Sequence, residues 1–140
     1  MIENNQIDIV KGPTVNEDFY DYYSDRNAHV NSIFFHYCSS VIALSSEHVY
    51  VKDKLTGDPL LVCGAYRPSY FSSYRELWMA GTTKLARRHL KEIKLNLAEW
   101  ADAQTVPLFA RASSIKSQKF LTFLGFTVFE VESNIITYRW

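Results

Sequence analysis

The chain has 140 residues, 47% apolar and 21% charged, and its 15 basic and 15 acidic side chains cancel to a formal net charge of zero. That length suits a single domain over residues 1–140 with a real hydrophobic core. The charge balance excludes a global field steering the protein to nucleic acid or a membrane surface, and no apolar run nears the roughly 18 residues of a membrane span. The opening MIENNQIDIVKGP lacks a basic flank ahead of an apolar run, so no signal peptide is expected and the protein reads as soluble. Cys38 and Cys63 lie far apart among apolar neighbours, which favours a reduced, intracellular setting over a disulfide. His29, His36, His48 and His89 show no metal-ligand spacing with the cysteines or one another, so no metal is expected.

Gln6 to Val10 alternates enough for a short strand that ends at Gly12–Pro13. EDFYDYY, with Phe19, Tyr22 and Tyr23 at helical spacing, predicts a short helix, and HVNSIFFHYCSSVIAL a second one. EHVYVKD and DPLLVCGAY flank the turn KLTGD and predict a β-hairpin. RPSYFSS is a loop, and Tyr74 to Ala80 a further strand. From Thr83 to about Ala103, Ala86, Leu90, Ile93, Leu97 and Trp100 recur in steps of three and four, placing them on one face of a long helix. TVPLFARA predicts a strand, and SSIKSQKFLTFLGF a helix capped by Ser113 or Ser114 and ended by Gly125. FTVFEVE and NIITYRW close the chain as a hairpin around Ser133–Asn134.

That order, with LWMAG ending a strand, PLFARA after the long helix and Gly125–Phe126 after the next, resembles the C-terminal half of the GNAT (N-acetyltransferase) fold. The resemblance covers residues 45 to 132. In spacing, length and the ELWMAGTTKLARRHLKEI segment it is nearest the small acetyltransferase-like internal virion protein A family of short-tailed phages. It implies an α/β fold with a mixed, mainly antiparallel sheet flanked by helices on both faces.

The resemblance also implies a place for acetyl-CoA. Backbone N–H groups at a helix start suit its pyrophosphate. The corresponding positions are Met79, Ala80, Gly81, Thr82, Thr83, Lys84, Leu85, Arg87 and Arg88, with Ser114 where the family often has asparagine. The family's loop runs Arg or Gln, two residues, Gly, one residue, then Gly or Ala, whereas AGTTKLARRHL offers only Gly81. Lys84, Arg87, Arg88 and Lys91 crowd the helix start against its dipole, as a solvated face or an anion site. Amine acetylation needs a base for the ammonium and an acid for the leaving thiolate. The family's tyrosine, four residues before the Gly of Gly-Phe, is Leu121 here. If the protein is active, Glu76 is the candidate base and Tyr138 the candidate hydroxyl, with Tyr74 and His89 as further options; Glu76 and His89 both read first as surface residues.

Aromatic residues make up 15% of the chain, and YRPSYFSSY crowds four of them into a loop, so residues 66–74 are a candidate contact for other virion or host proteins. No nucleic-acid partner is expected. The first expectation is a GNAT-fold phage protein with a degenerate acetyl-CoA loop, a non-catalytic virion or assembly component in the virion or host cytoplasm. The alternatives are an active acyl-CoA-dependent N-acetyltransferase, or a protein that keeps CoA or another phosphate ligand without turnover. Splayed strands LWMAG and PLFARA would admit a pantetheine arm, whereas Trp78, Met79 or Phe109 filling the gap would argue against catalysis.

Overall fold

Residues 2–11, 47–69 and 71–140 are described by the computed structural model; the two helices expected between residues 17 and 44, with Cys38, His29 and His36, lie outside them. Seven strands form one sheet: β1 (Ile7–Lys11), β2 (Glu47–Asp53), β3 (Pro59–Tyr66), β4 (Arg75–Gly81), β5 (Leu108–Ala112), β6 (Thr127–Glu132) and β7 (Ile135–Arg139). Helix α1 (Arg87–Asp102) follows β4, and α2 (Ile115–Leu124) follows β5. The strand order is β1-β2-β3-β4-β5-β7-β6, antiparallel except for β4 beside β5. A parallel neighbour demands a crossover, and α1 supplies it.

Local chemistry sets the boundaries. The β2–β3 turn closes with Gly57 N–H donating to the Asp53 carbonyl, Gly57 itself at φ 76°. Ser114 caps α2 by accepting from the Ser117 amide at 3.1 Å, and Gly125 ends it at φ 114°. Helix α1 begins at Arg87, four residues later than its periodicity suggests, because residues 82–86 make a loop fixed by contacts distant in sequence.

Cross-strand partners share a face, so the registers sort the sheet. Val51, Leu61, Ala65, Leu77, Ala110 and Tyr138 stand on one face, where they form a core with Ile93 and Ala101 of α1 and Leu121 and Leu124 of α2. Each fully buried leucine there contributes roughly 2 kcal/mol over exposure. Both described helices pack on this side. Tyr50, Val62, Tyr66, Glu76, Phe109 and Arg111 occupy the other face. The buried residues of α1 are His89, Ile93 and Ala101. This corrects the expected stripe: Ala86 is an exposed N-cap, Leu90 lies outside the core, and His89 is sunk beneath the helix start at 1% exposure.

Candidate functional site

Strands β4 and β5 are in register at Arg75–Leu108, Glu76–Phe109 and Leu77–Ala110, and there the pairing stops. Both strands run on, β4 to Gly81 and β5 to Ala112. The Thr82 amide donates to Leu60 O on the β3 side, and the Arg75 amide to Pro107 O on the β5 side. Backbone groups alternate sides along a strand, so the odd-numbered residues of β4 face β5. Met79 and Gly81 therefore present N–H and C=O to the gap beyond the last pair. Met79 packs toward the helix-side core, and Trp78 stands half-buried on the opposite face. Phe109 sits at the paired end, its ring 5.3 Å from Tyr74 and 5.0 Å from Phe129 in edge-to-face contacts.

The loop from Thr82 to Ala86 carries the chain from this gap to the start of α1. Thr82 Oγ1 donates to Pro59 O at 2.6 Å and accepts from the Lys84 amide at 3.2 Å. Gly81 lacks a left-handed φ, and a Cβ placed on it would meet Leu85 Cδ2 at an ordinary 3.6 Å. The fold therefore makes no demand for glycine at this position.

Beneath the loop, Ala86 N–H donates to His89 Nδ1 at 2.9 Å. Nδ1 therefore carries no proton, and Nε2 is the donor to Asp53 Oδ2 at 2.7 Å. The other oxygen of Asp53 accepts from the amides of Leu55 and Thr56. The His89 hydrogen bond first, and then these amides, hold the Asp53 carboxyl well below the usual carboxylate range. Arg88 turns the same way, pairing with Asp53 Oδ2 and donating to Gln6 Oε1 at 2.9 Å. Glu92 accepts from the Gln6 amide, tying β1 to α1. Arg88 is thus committed to the fold rather than to a solvated face. Arg87, Lys91 and Lys94, at helical spacing, instead line an open groove of about 320 Å³ with Leu90 and Phe123. Lys94 Nζ lies 5.0 Å over the Phe123 ring.

On the side of the sheet away from α1 and α2, Arg111 Nε donates to Glu76 Oε1 at 2.5 Å, joining β4 to β5 where their pairing ends. The Glu76 side chain is only 13% exposed and that of Arg111 56%, which corrects the surface reading of Glu76. Tyr66 stands opposite Glu76 on β3; burial first, and the charge of Glu76 second, push its phenol above the ordinary range. Tyr138 is 3% exposed in the helix-side core, so the candidate pair Glu76 and Tyr138 stands on opposite faces. Leu121 is buried, and Ser114 is the α2 cap at the end of β5. Burial pushes the Cys63 thiol up to about 12, which makes it a poor nucleophile. Residue spacing alone did not reveal Asp53, Arg111 or Phe123 as parts of this region. The i, i+4, i+7 repeat of Arg87, Lys91 and Lys94 was the available signal for the groove.

The whole arrangement is similar to solved acetyltransferases. One from Agrobacterium tumefaciens superposes with a TM-score of 0.70 and 16% identity, over 99% of this chain and 92% of that one. A nucleotide-linked sugar GNAT gives 0.66 and 10%, over 97% and 86%. The chain has the GNAT fold. A Campylobacter jejuni N-acetyltransferase in complex with acetyl coenzyme A gives 0.60 and 12%, over 96% and 97%. No protein-family profile and no curated protein sequence matches the chain. The narrower likeness to phage internal virion proteins rests on spacing, length and the ELWMAGTTKLARRHLKEI segment of the sequence, and none of these solved structures adds to it. Among the described residues no helix is long and apolar enough to cross a membrane, and no group of three or more His, Cys, Asp or Glu could hold a metal.

Proposed function

We propose that this GNAT-fold protein is an acetyl-CoA-dependent N-acyltransferase. The observation that carries the reading is the early end of the β4–β5 register, which turns the backbone of Met79 and Gly81 into a gap between parallel strands. An extended arm with amide groups can pair there as a missing strand would. The gap leads to the Thr82–Ala86 loop and the first amides of α1, where the helix dipole favours a pyrophosphate. Arg87, Lys91 and Lys94 suit the remaining phosphate, with Leu90 and Phe123 as an apolar surface for a base. Of the residues expected to bind cofactor, Met79 and Gly81 are suited by their backbone, the loop residues by their amides and Arg87 by its charge. Arg88 is spent on Asp53, and Ser114 on capping.

Acetyl-CoA, when bound, would supply an activated acetyl group on sulfur. Glu76, largely covered and beside the gap, is the base this chain offers for the incoming ammonium. Leu121 and the distant Tyr138 offer no acid, but a thiolate with a pKa of roughly 8.5 leaves without one at neutral pH, at some cost in rate. Calorimetric titration with acetyl-CoA, paired with a free-thiol assay over a panel of amines, tests the reading; saturable binding and amine-dependent thiol release are expected, and neither at millimolar acetyl-CoA would refute it.

Leu121 favours a second reading, in which the fold acts through protein contacts, as a virion component would, and not through turnover. Phe71, 92% exposed in the loop at residues 66–74, is the side chain that would anchor such a contact. Acetyl-CoA binding with no thiol release to any amine would favour that reading.

A further inference from the structure

We infer that the Glu76–Arg111 pair, with the aromatic row beside it, is the acceptor site, and that its acceptor is a free α-amino acid with a large apolar or aromatic side chain. The inference rests on the acyltransferase reading and adds its substrate class. The pair bridges β4 and β5 at the last point of their register, so both charges border the gap. A carboxylate offers about four lone-pair directions, and the Arg111 bond leaves room on Glu76 for another donor. Arg111 meets Glu76 through Nε, on a side chain 56% exposed, and its terminal nitrogens form the planar fork that grips a carboxylate bidentately. An acid and a base fixed side by side are complementary to a zwitterion, whose ammonium goes to Glu76 and whose carboxylate goes to Arg111.

The aromatic row sets the side-chain preference. Tyr74, Phe109 and Phe129 stack edge to face, with Phe129 55% exposed and the Arg139 guanidinium 5.7 Å from the Phe109 ring. Phe109 and Glu76 are direct cross-strand partners, so the apolar surface and the ion pair share one face. In the transfer, the ammonium gives one proton to Glu76 and thence to solvent. Its nitrogen lone pair then forms the C–N bond to the acetyl carbon as the C–S bond breaks. The second amine proton ends on the departing thiolate, leaving an N-acetyl amino acid, a free thiol and one released proton.

Three acceptors of one shape separate the terms: phenylalanine, phenylalaninamide, which lacks the negative charge, and phenethylamine, which lacks the carboxyl group altogether. The free-thiol assay should give phenylalanine a kcat/KM at least about tenfold above both others, the worth of one charge-assisted pair. Arg111→Ala should bring the three values together by raising KM for phenylalanine, and Arg111→Lys should restore part of the preference; circular dichroism confirms that each variant folds. Titrating the same three compounds into the protein without acetyl-CoA separates the two ideas. Phenylalanine-selective binding without turnover would keep the zwitterion site and remove the transferase reading. Turnover with no preference for the carboxylate would remove the zwitterion site and keep the transferase. No turnover and no selective binding would overturn both.

Discussion

Replacing His89 by leucine tests whether the buried Asp53–His89 pair holds the loop ahead of α1. His89 makes two contacts that leucine cannot: it accepts from the Ala86 amide at 2.9 Å and donates to Asp53 at 2.7 Å. Losing a neutral partner for a covered amide costs about 1 kcal/mol, and stripping a charged acceptor of its donor roughly twice that. His89→Leu should therefore destabilise by about 3 kcal/mol, or lower Tm by roughly 10 °C in a domain of this size. His89→Gln is the control, because a glutamine three residues after the N-cap reaches back to the N-cap amide and keeps an N–H for Asp53; its loss should stay near 1 kcal/mol. Urea unfolding with linear extrapolation reads both. A leucine variant as stable as the parent, or a glutamine variant as damaged as the leucine one, would refute the assignment.

The same cluster predicts an acid limb. Because Asp53 titrates lower folded than unfolded, its stabilisation is complete above the ordinary carboxylate value of roughly 3.9. It drains away as pH falls below that value, and in Asp53→Asn this part of the pH dependence should vanish; an unchanged acid limb in the urea midpoints would contradict the sign. Gly125→Ala places a Cβ at φ 114°, 3.1 Å from the Trp140 ring, and should cost about 2 kcal/mol or more in the same assay. Gly81→Ala should leave stability within about 0.5 kcal/mol, since its Cβ has room, yet weaken acetyl-CoA binding by calorimetry if the ligand backbone passes there; lost stability would show that the glycine serves the fold.

Much of the frame was legible because it is local. EHVYVKD became β2 with the same bounds, and Ser114 and Gly125 ended α2 where their chemistry says they should. The start of α1 was not legible, since its loop is set by Pro59 and by His89 pinned to a residue 36 positions away. Glu76 looked like an isolated surface acid because its partners, Tyr66 and Arg111, come from neighbouring strands whose register only the folded sheet reveals. Tyr138 looked available for the same reason: alternation in β7 does not say which face the sheet turns to α2. Conversely, the absent second glycine weighed more in the sequence than in the structure, where the gap is built from strand register and not from the loop alone.

The proposed transferase needs the strand gap beside Met79 and Gly81 to accept the arm of acetyl-CoA. The most direct test follows the backbone amide resonances of Met79 and Gly81 by 15N-resolved NMR during a titration with acetyl-CoA, alongside their exchange with deuterium. Both amides should shift with a common saturation curve and slow in exchange, as donors that have gained an acceptor. Saturation that moves only the Arg87, Lys91 and Lys94 groove, leaving Met79 and Gly81 untouched, would contradict it.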